Sequence, residues 1–599
     1  MRIPQGVAAP RTAPSESALK SQASKGKRTQ PKLDGRVVAA SAAPAIPGFW
    51  KALCFALCAV LITYLPSLTG PFLFDDKGLP FTVADAAARP AAFWIGGVRP
   101  ILMATYWLNF LAVGQNPFGY HAVNLILQAV AASLAYLCAV SVLKRAGIHE
   151  SKITVLAALT AGIFLLHPLQ TESVAYIAGR SEVLTGIFFF AAFAVFLRAP
   201  QSEFGFGRVL AALGLCGVAV LSKENAVVLP ALMVFTGIFW TTDGIGVHIR
   251  KYARLYGSLL VLGILAAFFI LRRLAGAATA GFNVEGLTWQ NYFWTQCRVI
   301  PVYLRLFIAP IGQCADWAFS FSRGALDRGA IFYGLALLVA VTLAFRYRRR
   351  MPLFFYGLVV FLLLLAPTSS VVPVKDALAE RRMYLPIFGL GLATAAILAQ
   401  LRLSSRALKI AVFTVLIAES GMSFLRSEVY GDDVLFWQDV VRKSPSNIRG
   451  YEALAGILAA QKQWAPAIRL YERGLALSKT QGSKETPVFE ASLASTYVLN
   501  GQPAKARELL RGMKSSEQGA VILTELGVVA AKADDGRQAL DDFTGAIRLD
   551  PNYASAYAYR GMVELASDAN SAAAEDFRQA LKLDPGNAFA LDGLRKVAR

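Results

Sequence analysis

Residues 49–68 read FWKALCFALCAVLITYLPSL, twenty positions with Lys51 as the single charged side chain. A helix needs about 20 mostly apolar residues to cross the hydrocarbon core of a bilayer, and this run is long enough. It exceeds the apolar core of a secretory signal and lacks a small-residue cleavage site, so it reads as a first membrane helix that stays in place. The whole chain carries the same signature: 599 residues, 55% hydrophobic, 17% charged, mean hydropathy +0.47. Those values exclude a string of soluble domains and a disordered chain, and six cysteines are too few for a secreted disulfide scaffold.

Outward from that run, long apolar stretches alternate with short polar connections as far as Leu425. Eleven spans are expected, beginning near Phe49, His121, Ile153, Glu182, Arg208, Asn225, Tyr256, Ile331, Leu353, Tyr384 and Leu408. Two other apolar stretches are expected to lie along the membrane surface: Ile101 to Val113 is short, and Phe293 to Ile311 carries Arg298 and Arg305. Lys and Arg accumulate in cytoplasmic loops, so the net charge of +21 is read as loop charge and not as a nucleic-acid surface. With eleven spans the inner connections hold Lys144, Arg145 and Lys152, then Arg250, Lys251 and Arg254, then Arg346, Arg348, Arg349 and Arg350. Residues 1–46 read as a disordered basic tail on the cytoplasmic side. Cys54, Cys58, Cys138 and Cys216 fall in apolar stretches as small hydrophobes, while Cys297 and Cys314 share one outer region, where two free thiols are favoured over a disulfide.

Beyond a linker at 426–446 the composition turns polar and a repeat appears. Residues 527–551, GVVAAKADDGRQALDDFTGAIRLDP, return as 561–585, GMVELASDANSAAAEDFRQALKLDP. Gly527, Ala539, Phe543, Ala546 and Pro551 are matched by Gly561, Ala573, Phe577, Ala580 and Pro585 at a constant shift of 34 residues, the period of the tetratricopeptide repeat. Small residues at those positions let antiparallel helices approach, and the aromatic fills the gap between repeats. Residues 447–599 read as an array of about four repeats closed by a capping helix at Ala588 to Val597. The expected fold is therefore all-α: a polytopic helical bundle over 47–425 followed by an α-solenoid. An odd number of spans from an inside N-terminus places the array outside the cytoplasm.

Four polar clusters interrupt the apolar zone, and this topology puts them at one face. They are Phe74 to Lys77; His167 to Glu172 with Gly179 to Glu182; Ser222 to Asn225; and Lys375 with Asp376 and Glu380 to Arg382. Ionisable groups at membrane depth cost about 2.5–3.5 kcal/mol each on insertion scales, so such clusters point to function. Asp75 and Asp76 suit base catalysis on a hydroxyl nucleophile, or equally a helix cap. Lys223, Arg381 and Arg382 offer donors for a phosphate, or anchors at the headgroup boundary. His121 and His167 lack paired metal-ligand spacing and read as hydrogen-bonding or helix-boundary residues. Phosphate-binding and dinucleotide glycine loops and the G-x-S-x-G elbow do not occur.

Phe72-Leu73-Phe74-Asp75-Asp76, Arg99-Pro100, Trp107-Leu108-Asn109, Gly119 to Leu125, His167-Pro168, Thr171 to Val174, Gly179-Arg180, Lys223-Glu224 and Glu380 to Pro386 follow in this order. Together with the terminal repeats, this set resembles the transmembrane and tetratricopeptide-repeat protein O-mannosyltransferases and their bacterial relatives. The resemblance implies a glycosyltransferase of the GT-C type, integral to a bacterial inner membrane. It would move a sugar, mannose or another hexose, from a polyprenyl phosphate to Ser or Thr hydroxyls of proteins outside the cytoplasm, with the repeats binding the acceptor protein. It implies no cofactor beyond the lipid-linked donor and no metal. The family's acidic pair maps onto Asp75 and Asp76 as catalytic residues, and its Glu-Arg motif onto Glu380 and Arg381. Glu172, Arg180, Lys223, Glu224 and Arg382 complete the expected substrate-binding set.

In the expected mechanism Asp75 or Asp76 takes the hydroxyl proton, the oxygen attacks the anomeric carbon with inversion, and Arg381, Arg382 and Lys223 stabilise the departing phosphate. A non-catalytic membrane scaffold whose repeats recruit partners is the alternative, and a lipid flippase or transporter a third reading. The topology makes a first prediction. A tag at the carboxyl terminus is labelled by a membrane-impermeant reagent in intact spheroplasts, and protection of that tag would separate the repeats from the polar clusters.

Overall fold

The computed structural model describes residues 48–95, 99–198, 204–274, 281, 282, 284 and 286–598. The tail expected at 1–46 lies outside them. The regular elements among the described residues are all helical, and a helix occupies each of the eleven expected stretches, from Phe49–Tyr64 to Ser405–Glu428. Among the described residues six helices are long and apolar enough to cross a bilayer, and Glu150–Leu166 with its continuation Pro168–Ala175, bent by 46°, makes a seventh. Phe206–Ser222, Glu224–Phe239, Pro352–Leu365 and Ile387–Gln400 are shorter apolar helices. The two stretches expected along the membrane surface are helical as well, Pro100–Val113 and Trp289–Ile308, the second continuous through Pro301.

Pro117–Arg145 is the central helix, packed against Phe49–Tyr64, Glu150–Leu166 and Arg180–Leu197. Its buried Ala129, Ala132, Ala135 and Ala139 explain why three neighbours can close on it. The outward faces are apolar too: Leu260, Ile264 and Phe268 on one helix, and Phe332, Leu335 and Leu338 on another, are all exposed. Apolar surface of that extent is stable against lipid and not against water, so the chain is a membrane protein. Pro352–Leu365 and Ile387–Gln400 touch backbone to backbone. A Cβ on Gly357 would meet Gly389 O at 2.6 Å, and one on Gly389 would meet Phe361 N at 2.5 Å.

The repeats form four helix pairs, Ile448–Ala460 with Trp464–Gln481, Thr486–Leu499 with Pro503–Arg511, Glu517–Lys532 with Gly536–Leu549, and Ala554–Ala566 with Asn570–Leu583, then Ala588–Val597. The small-residue logic of the repeat is visible in the packing. A Cβ on Gly561 would stand 2.9 Å from Phe577 Cε1, and one on Gly593 of the last helix 2.3 Å from Phe577 Cζ. Phe577, fully buried, thus wedges between its own pair and the capping helix.

Gly389→Val is expected to destabilise the bundle by about 1–3 kcal/mol, the usual range for forced overpacking. The detergent-solubilised protein should melt several degrees lower. Gly421→Ala, at a helical position with open space around it, should leave the melting temperature unchanged or slightly raised.

Candidate active site

The bend after Glu150–Leu166 is built by His167-Pro168. The imidazole Nδ1 accepts from Leu169 N at 3.1 Å and Nε2 donates to Phe307 O at 2.9 Å, one neutral tautomer satisfying both. His121 Nε2 donates to Gly70 O at 3.2 Å. Both histidines are hydrogen-bonding residues, as their spacing suggests. The short helix that follows, Thr171–Ala175, and the turn at Ile177–Gly179 then bring residues 172–182 into contact with the three other clusters.

Glu172 is buried, and Arg381 fills both its oxygens: Arg381 Nη1 donates to Oε1 at 2.6 Å and Arg381 N to Oε2 at 2.8 Å. Burial works against the Arg381 charge, but Glu172 outweighs it and raises the guanidinium above its ordinary value. Arg381 keeps about a quarter of its side chain exposed and reaches Asp376 Oδ2 at 3.5 Å. On the other side, Asp76 Oδ1 accepts from Ala178 N at 2.7 Å and Oδ2 from Leu73 N at 3.0 Å, while Asp75 N donates to Tyr176 Oη at 2.6 Å. Lys223 pairs with Glu182, which also accepts from Asn225 Nδ2 at 3.4 Å. All four clusters therefore meet at one hub.

The acidic pair divides. Asp76 is 1% exposed and spends both oxygens on backbone amides. Burial outweighs those two bonds and, with the charge of Asp75, pushes its carboxyl up to about 7. Asp75 is exposed and close enough to act electrostatically on Arg381 and Tyr176. Asp75 is therefore the carboxylate open to solvent, and Asp76 fixes the loop that presents it.

The remaining expected binding residues are engaged by the protein itself. Arg180 is fully buried and donates to Asn124 Oδ1, Asn109 Oδ1 and Tyr120 O at 2.7, 2.8 and 3.0 Å, with its guanidinium over Tyr106. Arg382 donates to the carbonyls of Asp376 and Ala377, buckling its own loop. Glu380 accepts from Cys314 N, Gln313 Nε2 and Trp317 Nε1 at 2.6, 2.9 and 3.1 Å, and burial raises its carboxyl to about 7. Glu224 forms a two-point pair with Arg99, Nη2 to Oε1 at 2.7 Å and Nε to Oε2 at 3.1 Å. Arg99 has no site role among the sequence expectations, and its two bonds to Glu224 place it at this face. Cys297 and Cys314 are separate thiols.

The first repeat helix also reaches this site, a contact with no local signal in the sequence. Arg449 Nη2 lies 2.7 Å from Asp316 Oδ1 and 3.7 Å from Asp376 Oδ1, and its guanidinium sits 5.4 Å from the centre of the Phe74 ring. Phe74 in turn meets Trp437 edge to face at 5.4 Å, and Asn447 Nδ2 donates to Asp316 O at 2.9 Å. A groove of about 570 Å³ runs between Phe74, Lys77 and the repeat residues Ala453, Gly456 and Ile457.

Sequence comparison gives this geometry a context. Over 190 residues the chain is 33% identical to the Drosophila melanogaster protein O-mannosyl-transferase Tmtc1, covering 29% of this chain and 21% of that protein. The chain is similar to the TMTC protein O-mannosyl-transferases. Human TMTC1 is 32% identical over 233 residues, 34% of this chain and 24% of its own length. A Caenorhabditis elegans protein O-mannosyl-transferase is 23% identical over 444 residues, 68% of this chain and 61% of its own. The chain thus spans about a fifth to three fifths of the length of these relatives. No protein-family model matches it. A solved tetratricopeptide protein, YrrB, overlaps 31% of this chain and 90% of its own at 18% identity with a TM-score of 0.21, too low to weigh on the fold.

Asp76→Asn should separate the two carboxylates. An amide can accept from only one of the two backbone N–H groups and turns a donor toward the other, so a loss of about 1–3 kcal/mol is expected. Asp75→Asn should be near neutral for stability. In the wild type the folded chain keeps a proton on Asp76 that the unfolded chain releases, so its contribution to stability falls as pH rises from about 4 to about 7. Thermal melts over that range should show a shallower decline for Asp76→Asn than for the wild type.

Proposed function

We propose that the protein is a membrane glycosyltransferase that moves a sugar, mannose or another hexose, from a polyprenyl-phosphate donor to Ser or Thr hydroxyls of acceptor proteins. The observation that carries the reading is an exposed carboxylate, Asp75, near enough to act electrostatically on a charged and partly exposed Arg381 that Glu172 holds in place. Similarity to enzymes named protein O-mannosyl-transferases supports the same chemistry.

Asp75 takes the proton of the acceptor hydroxyl as its oxygen forms the bond to the anomeric carbon. The bond from that carbon to the phosphate oxygen breaks on the opposite face, inverting the configuration, and the polyprenyl phosphate leaves with the electron pair. Arg381 faces the negative charge that grows on the phosphate. Preorganised donors of this kind are often the largest catalytic contribution, and losing one costs about a hundredfold to a thousandfold in rate. Glu172 acts through Arg381, and Asp76 through the loop carrying Asp75. The repeats, whose first pair borders the groove beside Phe74 and Lys77, hold the acceptor protein on the same side as the acidic loop.

Cells carrying the wild-type gene should yield exported proteins whose intact masses include hexose-sized increments. Asp75→Asn should abolish those increments while the protein still reaches the membrane. Arg381→Lys, which keeps the charge but loses the fork, should reduce them about a hundredfold or more. Unchanged masses with Asp75→Asn would refute the assignment.

A further inference from the structure

We propose that Arg449, a residue of the repeat array, and Arg381 of the membrane bundle together form the phosphate site of the lipid donor, and that Asp376 occupies this site when the donor is absent. The inference rests on the polyprenyl-phosphate reading above and identifies a second cation for the leaving group.

Asp376 stands between two guanidinium groups, one on each oxygen. Arg381 Nη2 is 3.5 Å from Oδ2, and Arg449 Nη2 is 3.7 Å from Oδ1. Charge-assisted pairs close to about 2.7–2.9 Å when they are tight, so neither contact is tight. All three side chains are partly open to solvent, 27% for Arg381, 43% for Arg449 and 37% for Asp376. Each arginine is anchored elsewhere by a short bond to a buried carboxylate, Arg381 to Glu172 and Arg449 to Asp316, both at 2.6–2.7 Å. The two cations are therefore fixed while the anion between them is loose. The oxygens of a phosphate are spaced much as those of a carboxylate, so a phosphate fits the same two donors and brings more charge.

Of the other basic residues of this face, Lys77 and Lys375 are exposed but no carboxylate among the described residues holds either in place, and the rest are committed elsewhere. Arg382 is committed to backbone carbonyls, Arg180 is fully buried among amides and rings, and Lys223 is paired with buried Glu182. Arg99 is taken by Glu224. Arg449 also lies against the Phe74 ring, next to Asp75. Its place puts a phosphate held by Arg381 and Arg449 close to the proposed base. The consequence is that the repeat array completes the transfer site and does more than deliver acceptors.

The test measures binding of farnesyl phosphate, inorganic phosphate and farnesol to the full-length protein in detergent. Wild type should bind farnesyl phosphate more tightly than farnesol, and inorganic phosphate should compete weakly. Arg449→Ala should weaken farnesyl phosphate about tenfold to a hundredfold and leave farnesol unchanged, with Arg449→Lys in between. Asp376→Asn removes the competing anion without removing a donor, so it should bind farnesyl phosphate several-fold more tightly. Wild-type affinity in Arg449→Ala, or weaker binding in Asp376→Asn, overturns the inference and leaves the donor assignment standing. Should wild type bind farnesyl phosphate no better than farnesol, the inference and the polyprenyl-phosphate reading fall together. Inorganic phosphate binding as tightly as farnesyl phosphate would mark a free-anion site and overturn the lipid assignment.

Discussion

Glu172 has lost nearly all contact with water, and a buried carboxylate is tolerated only when its charge is met and its oxygens are filled. Arg381 does both, with a backbone amide and a guanidinium from a segment more than two hundred residues away. Removing the arginine would leave an uncompensated charge, a loss of about 3–5 kcal/mol in typical proteins. That demand ties the loop before the Ile387–Gln400 helix to the bend after Glu150–Leu166. The same stretch, 172–182, takes Asp76 on its amide at Ala178 and Lys223 on Glu182, so the ends of several helices are locked through one segment.

The face contains two kinds of charged side chain. Asp76, Glu380, Arg180 and Arg382 face inward, and their hydrogen-bonding capacity is spent on backbone groups and neighbouring side chains. Asp75, Asp376, Arg381 and Arg449 keep part of theirs toward solvent. The first group holds loops of irregular backbone in fixed positions, which a membrane protein can do only where polar partners replace water. The second group faces solvent and, in the proposed reaction, the substrate.

The repeat array is joined to the bundle by polar and aromatic contacts at the same place. Asp439 gathers Arg426, Arg442 and Lys443, Arg449 reaches Asp316, and Trp437 meets Phe74. Arg426 belongs to the Ser405–Glu428 helix, so the pair with Asp439 connects that membrane helix directly to the segment preceding the repeats. A protein segment lying on the first repeat pair would therefore lie beside the acidic loop, through the groove at Phe74 and Gly456.

Much of the architecture was legible beforehand because its causes are local. Twenty apolar residues make a membrane helix wherever they occur, and a 34-residue recurrence of Gly, Ala and Phe makes stacked helix pairs. The four polar clusters were legible too, since charges beside apolar runs stand out in composition. What the residues by themselves could not assign was which charge faces which. Asp75 and Asp76 are adjacent and chemically identical, and only the backbone turn that aims one at Ala178 and Leu73 makes the other the exposed carboxylate. Arg381 and Arg382 differ in the same way, one on Glu172 and one on carbonyls of its own loop. Arg449 sits in a repeat helix with no motif around it, and its role depends on carboxylates at 316 and 376. The sequence by itself determined helices, repeats and the presence of charge, because those follow from hydrophobicity and spacing along the chain; the tertiary structure alone decided the pairing of charges, because burial and proximity arise only when distant segments meet.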